Sequence, residues 1–294
     1  MSPLPTDTTP WPVTADARSS VRTWSDDLAR TLDRALQRAR GRVTQQVVYL
    51  GADGVSAWCA PNGSSRAGAA AATHEYADFN AWCQAHSGCD ARLFVSGQLL
   101  HSLVVDPALQ LFDEPAVRAY AAQQFSHYHG PQARQWPMAV WAQPSSSGAC
   151  ALHSGDLPTL MAQAAAHDVR VRSVAPVWSA GLGSVSRLKP AFGGAQQQAL
   201  ALVEGRRVTW LVAQAACVVG LQQRFIDMPR IDALADLLHR LVIETGPFAA
   251  PPLLVGWGLD DAQSAASLPA QVLTPLDQPT ACAEWLLDTM GCGA

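Results

Sequence analysis

Gln46-Val-Val-Tyr-Leu-Gly-Ala-Asp-Gly-Val-Ser-Ala-Trp-Cys-Ala60 decides the fold. Two strand-like runs, Gln46–Leu50 and Val55–Ala60, flank Gly51-Ala-Asp-Gly54. Asp-Gly between apolar runs is a strong hairpin signal, because both residues tolerate positive φ. The same grammar returns later, where Ala199–Val203, Arg207–Ala213 and Cys217–Phe225 read as strands. A helix over Arg230–Glu244, a strand Pro252–Gly256 and a final helix near Thr280–Met290 come after them.

Between these hairpins, His74–His86 reads as a short helix, and Arg92–Ser96 with Leu99–Val105 as a hairpin about Gly97. Pro115 suits the first turn of a helix reaching about His127. Met138–Ala142 and Gly148–Leu152 read as strands about a Pro-Ser-Ser-Ser turn, before a helix Asp156–His167 and a strand Val169–Val174. Two successive mixed sheets with helices predict an α/β protein of two related lobes. The Pro/Gly-containing stretch Ala180–Gly194 is the expected boundary, giving a first lobe over 43–180 and a second over 181–294. Residues 1–17 read as a flexible segment, and 18–42 as an amphipathic helix with Val21, Trp24, Leu28, Leu32 and Leu36 on one side and Arg30, Arg34 and Arg38 opposite. That helix either packs on the domain or presents Trp24, Leu28 and Leu32 to a partner or a membrane surface.

Composition narrows the function classes. The 294 residues are 49% hydrophobic and 15% charged, which rules out global disorder. A net charge of -4 leaves no electrostatic footprint for nucleic acid. Lys189 is the only lysine, so P-loop and Schiff-base chemistries elsewhere in the chain are excluded. Met1–Pro12 lacks the pattern of a secretory signal, and no apolar run approaches the roughly 20 residues that span a bilayer. A cytoplasmic location without a direct membrane span is the expectation. Seven scattered cysteines read as reduced thiols rather than a disulfide framework.

No catalytic constellation stands out. Cys83-Gln-Ala-His-Ser-Gly-Cys89 supplies three of the four ligands a structural zinc needs, and no second pair with suitable spacing occurs beyond it, so no metal is expected. His127 and His129 read as a solvated helix end. Ser96 and Ser184 lack the flanking glycines of a nucleophile elbow, and Cys217 reads as a small buried hydrophobe. Asp260-Asp261 is a tight carboxylate pair that either holds a cation or caps a helix beginning near Ala262.

Element order from Gln46 to Met290 resembles the actin-like, ribonuclease-H-like ATPase fold, and more narrowly the PilM proteins of type IV pilus assembly and the cytoplasmic domain of GspL in type II secretion. Val48-Tyr-Leu-Gly-Ala-Asp-Gly-Val-Ser-Ala57 lies where the first phosphate loop would be, Leu202-Val-Glu-Gly-Arg-Arg-Val-Thr209 where the second would be, and Leu254-Val-Gly-Trp-Gly258 where the adenosine loop would be. The resemblance thus implies a nucleotide cleft made of Gly51, Asp53, Glu204, Gly205, Gly256 and Gly258. It also implies magnesium-organising aspartates two residues before each phosphate-loop glycine, and Tyr49 and Val203 stand there instead. The same glycines read equally as ordinary turn residues. With those acids replaced, the resemblance implies a non-enzymatic scaffold or adaptor without a cofactor, peripheral at the inner membrane. It would hold a segment of an inner-membrane assembly or secretion protein in a groove or on a sheet edge, with homodimerisation left open. The alternative is an ATPase or phosphotransferase that binds ATP with magnesium through Asp53, Glu204 and Asp260 as replacement acids.

Overall fold

The computed structural model describes residues 45–59, 74–143, 145–215 and 217–277. The expected segment 1–17, the amphipathic helix 18–42 with Trp24, Leu28 and Leu32, and the helix Thr280–Met290 lie outside the described residues. The chain divides into units 1–43 and 44–294, and the described residues belong to the second.

The first hairpin forms where its sequence predicts, but the turn is a four-residue one closed by Gly51 N–H to Gly54 O, and Asp53 does not take positive φ. β1 (Gln45–Leu50) pairs antiparallel with β2 (Val55–Cys59), Leu50 opposite Val55. β3 (His74–Tyr76) extends the sheet beyond β2, while β4 (Asp90–Val95) and β8 (Arg170–Pro176) add in parallel beyond β1, for the order β3-β2-β1-β4-β8. The second sheet repeats this order with β9 (Gln198–Glu204), β10 (Arg207–Gln214), β11 (Cys217–Phe225), β12 (Leu253–Trp257) and β13 (Gln271–Val272), as β11-β10-β9-β12-β13. In each, an antiparallel meander continues into two parallel strands. A third, smaller sheet, β5-β7-β6, joins β5 (Leu100–Val104), β7 (Ser146–Leu152) and β6 (Met138–Gln143).

Strand alternation sets the layers, because successive side chains point to opposite faces. On β1, Val48 and Leu50 face α1 (Phe79–Ala85) and α3 (Leu157–Ala166), while Val47 and Tyr49 face the second sheet. On β9, Leu200 and Leu202 face the first sheet, and Ala199, Ala201 and Val203 face α5 (Ile231–Thr245). Helix α4 (Val177–Leu188) supplies Val177, Trp178 and Val185 to the core between the sheets. Helix α5 buries Ile231, Leu234, Leu237, Leu238 and Leu241, the spacing of a single helical face. Full burial of each such side chain contributes about 1.5–3 kcal/mol.

Three local expectations change in the fold. The hairpin about Gly97 does not form: β4 is an interior strand between β1 and β8, and the chain after Gly97 crosses to pair β5 with β7. Helix α1 starts at Phe79 rather than His74, because Asp78 caps it, accepting from Ala81 N at 2.7 Å, and His74–Tyr76 pairs with β2. The strands read at Met138–Ala142, Gly148–Leu152 and Val169–Val174 do not share one sheet, since β6 and β7 pair antiparallel in the small sheet while β8 joins the first. The stretch Ala180–Gly194 lies between β8 of the first sheet and β9 of the second and begins within α4, where Ala180, Gly181 and Ser184 are buried.

Leu238→Ala should lower the unfolding free energy by about 2–5 kcal/mol, Leu238 being fully buried under the second sheet. Ile243→Ala on the same helix, at a residue 81% exposed, should stay within about 0.5 kcal/mol of the parent. Urea unfolding followed by tryptophan fluorescence compares the two.

Candidate functional site

Glu204 ends β9 on the face that Leu200 and Leu202 turn to the first sheet. It is buried to 1% exposure, and its carboxylate takes its donors from across the lobes. Tyr49 Oη donates to Oε1 at 2.8 Å, Ser96 Oγ donates to the same oxygen at 2.7 Å, and Gly97 N donates to Oε2 at 3.0 Å. Gln98 completes the clasp, its Nε2 donating to the Glu204 carbonyl at 3.1 Å and its backbone N–H to Ser96 Oγ at 3.0 Å. A Cβ at position 97 would stand 2.8 Å from Oε2 and 3.0 Å from Thr209 Oγ1, so the approach requires glycine.

Burial pushes the Glu204 carboxyl up from its ordinary value, while the Ser96, Tyr49 and Gly97 donors and the nearby Arg207 guanidinium oppose that rise. Burial, followed by the charge of Glu204, holds the Tyr49 phenol well above its usual range. Tyr49 is therefore a permanent donor. Arg207 is buried with its Nε unpartnered, 4.4 Å above the Phe225 ring. Burial lowers its pKa and Glu204 opposes that.

The other residues of the expected cleft fall into two groups, Gly51 and Asp53 at the β1–β2 turn and Gly205, Gly256 and Gly258 where β9 meets β12. Gly51 closes the β1–β2 turn, its N–H donating to Gly54 O at 2.9 Å, and Asp53 is exposed at the tip of that turn. Gly205 N donates to Trp257 O at 3.0 Å, which keeps Gly205 beside Gly256 and Gly258 at the end of β12. At Gly256 a Cβ would lie 2.6 Å from Val203 Cβ, so strand packing accounts for that glycine. Thr274 Oγ1 accepts from Gly256 N at 2.9 Å and donates to its carbonyl at 3.1 Å. The Asp260 backbone N–H donates to Pro229 O, tying the residue to the loop that precedes α5. Counting back from Gly205 points to Val203, but that side chain faces α5, and Glu204 is the residue that reaches the interface between the sheets. Ser96 acts as a donor to Glu204, and Cys217 is only partly buried, 2.8 Å from Ser145 Oγ. Cys83 is buried in α1, its thiol pushed up to about 12 by burial. His86 pairs with Gln46 at 2.7 Å and Tyr76 at 2.6 Å. Among the described residues no three His, Cys, Asp or Glu converge as metal ligands.

A groove of about 480 Å³ opens within the first lobe. Val174–Pro176 of β8 and Pro137–Ala139 at the start of β6 form two of its walls, and Leu50, Val95, Leu100, Leu152 and Leu160 line its interior. β8 and β6 are the outermost strands of their sheets. Asp78 is its charged lining residue; the rest of the lining is apolar or small. Sequence reading missed this groove because its walls are far apart in the chain and meet only when β5 leaves β4 for β7.

No protein-family model matches the chain, and no curated protein matches it by sequence. Solved structures do match. The cytoplasmic domain of EpsL, an inner membrane component of the type II secretion system of Vibrio cholerae, aligns with a TM-score of 0.52 at 12% identity, over 85% of this chain and 95% of that one. A Bacteroides thetaiotaomicron protein with an actin-like ATPase fold and unknown function aligns at 0.54 and 11% identity, over 85% and 97%. The PilM–PilN type IV pilus biogenesis complex aligns at 0.55 and 10% identity, over 84% and 94%. The fold is therefore actin-like, with two lobes of mixed sheets, and it is similar to PilM and to the secretion-system cytoplasmic domain. Among the described residues no helix is long and apolar enough to cross a membrane.

Tyr49→Phe removes one donor to a buried carboxylate and should cost about 1.5–3 kcal/mol. Glu204→Ala leaves all three donors buried without their acceptor and should cost about 3–5 kcal/mol. The double variant should cost less than the sum of the two, since both act on one network. Denaturant unfolding of the three proteins checks this; strict additivity would show that Tyr49 and Glu204 are not coupled.

Proposed function

We propose that the protein is a non-catalytic cytoplasmic scaffold of a bacterial pilus or secretion assembly, peripheral at the inner membrane. It would hold a segment of an inner-membrane partner in the groove between the first sheet and the small sheet. The groove carries the reading: it is apolar, deep enough for several side chains, and flanked by two terminal strands, β8 and β6. An extended segment adding to such an edge gains main-chain hydrogen bonds while alternate side chains enter the apolar interior. That a structure of this fold is a PilM–PilN complex supports a protein partner, as an analogy of fold rather than of site. The apolar stripe Trp24, Leu28 and Leu32 is the proposed second contact.

The interior between the lobes supports the scaffold reading over the ATPase alternative. Ser96, Gly97 and Tyr49 spend their donors on Glu204, so a phosphate entering there would meet a buried carboxylate instead of free N–H groups. Asp53 is exposed at a turn tip and Asp260 lies beyond β12, whereas Glu204 is buried among donors from the other lobe. Three acids held in such different settings argue against a shared magnesium site.

Calorimetry with ATP and magnesium should give no heat; micromolar, magnesium-dependent binding would overturn the scaffold reading. A photo-crosslinking amino acid at Met138, in the groove wall, should trap an inner-membrane protein in the native cell, and the same group at exposed Ile243 should not. Equal trapping at both positions, or none at Met138, would remove the groove as the docking site. Leu28→Asp should weaken membrane recruitment without changing the unfolding midpoint of the domain.

A further inference from the structure

Three imidazoles stack beside Trp136. His101 on β5 is the central ring: it lies on His129, the last residue of α2 (Glu114–His129), with centroids 3.9 Å apart and planes at 17°. It also lies on His153, just past β7, at 4.2 Å and 30°. The Trp136 ring is 5.4, 5.5 and 5.8 Å from His101, His129 and His153. His153 Nε2 donates to the Gln98 carbonyl at 3.0 Å, which places its neutral-state proton on Nε2. The stack thus pins the C-terminal end of α2 to two strands of the small sheet. Elsewhere α2 buries Val117, Ala121 and Phe125; Ala121 and Phe125 pack with Ala133 on Ala149 and Ala151 beside Leu103, Trp136 and Val140, and Arg118 donates to the Met138 carbonyl at 2.8 Å.

Among the described residues, the charged groups that act on the three rings have one sign. The titratable and charged groups acting on His101 are His153, His129 on α2 and Arg207 on β10, all cationic when charged. Arg207 acts on His129 and His153 as well. Among the described residues, no carboxylate acts on any of the three rings. Neutral imidazoles at these separations attract as stacked aromatic rings do. Protonated ones would repel each other and the arginine; the carboxylate that acts on Arg207, Glu204, is engaged by Tyr49, Ser96 and Gly97 and does not act on the rings.

We propose that the His101–His129–His153 stack is an acid-sensitive joint, which clamps the end of α2 to the small sheet while its imidazoles are neutral and releases α2 when they take up protons. Met138 of β6 belongs both to the packing under α2 and to the groove wall, so release of α2 loosens that wall. The joint stands whether or not the groove binds a partner.

The direction of the pH effect comes from linkage. Burial first, then His153, His129 and Arg207, hold His101 at about 3, and burial also lowers His129 and His153 from 6.5. In the opened state the rings return toward 6.5, so the clamp is at full strength above that pH and weakens as pH falls below it. His101 is only partly buried, so solvent screening reduces the effect, and going from pH 7.5 to 5 multiplies its open-to-closed ratio about tenfold.

Hydrogen exchange of the full chain at pH 7.5 and 5.0, corrected for intrinsic exchange rates, tests the joint. Exchange over Glu114–His129 should accelerate by about tenfold or more at pH 5.0, while Ile231–Thr245 in the second lobe keeps its protection. His101→Phe, which retains a central ring that cannot be charged, should lose most of that acceleration. Should this variant fail to fold, His129→Phe at the less buried end of the stack replaces it, with a smaller loss expected. Equal protection of α2 at both pH values would overturn the proposal. So would an unchanged acid response in the folded variants, or loss of α5 protection in parallel with α2, which would mean global acid unfolding.

Discussion

A carboxylate buried at the end of β9 must find donors within reach, and Glu204 finds them in the opposite lobe. Leaving it unpaired would cost several kcal/mol, so the two sheets are held in the one arrangement that brings Tyr49, Ser96 and Gly97 to its oxygens. The apolar faces alone would not set this arrangement, because hydrophobic contact is indifferent to small sliding. Leu200, Leu202, Val47 and the α4 side chains supply the attraction between the sheets, and the Glu204 clasp supplies the register.

The clasp also governs what lies beyond it. Ser96 and Gly97 sit where the chain leaves β4 for β5, so the residues that satisfy Glu204 also direct β5 out of the first sheet and into the small one. That departure opens the groove between β8 and β6 and brings His101 under the end of α2. Gln98 links the two regions directly, donating to the Glu204 carbonyl and accepting from His153. The polar core between the lobes, the groove and the imidazole stack are thus consequences of one crossover.

Much of the architecture was legible in the residues. The first hairpin, the meander β9-β10-β11 and the amphipathic spacing of α5 are local signals, carried by neighbours in sequence, and each formed as read. The duplicated strand order comes from the same grammar used twice. Less legible was strand pairing across distance. Arg92–Ser96 and Leu99–Val105 look like a hairpin because nothing in their composition says that β4 will be claimed by β1 and β8. At the site, the glycines were recognisable but their reasons were not. Gly256 serves a close strand approach, and Gly97, read as a hairpin turn, is instead the position where the carboxylate clasp leaves no room for a side chain.

Sequence by itself determined the class of fold, because hydrophobic period and turn chemistry are properties of neighbouring residues that persist in any compact arrangement of the chain. Only the tertiary structure decided which face Glu204 takes, since a shift of one residue in a strand reverses its side chains and a motif counted from Gly205 selects Val203 instead. It alone decided that Tyr49 and Glu204, 155 positions apart, would share a proton donor and its acceptor. It alone stacked His101, His129 and His153 into one column. Such contacts depend on where distant strands come to rest, and that position is set by the packing of whole layers rather than by any local run of residues.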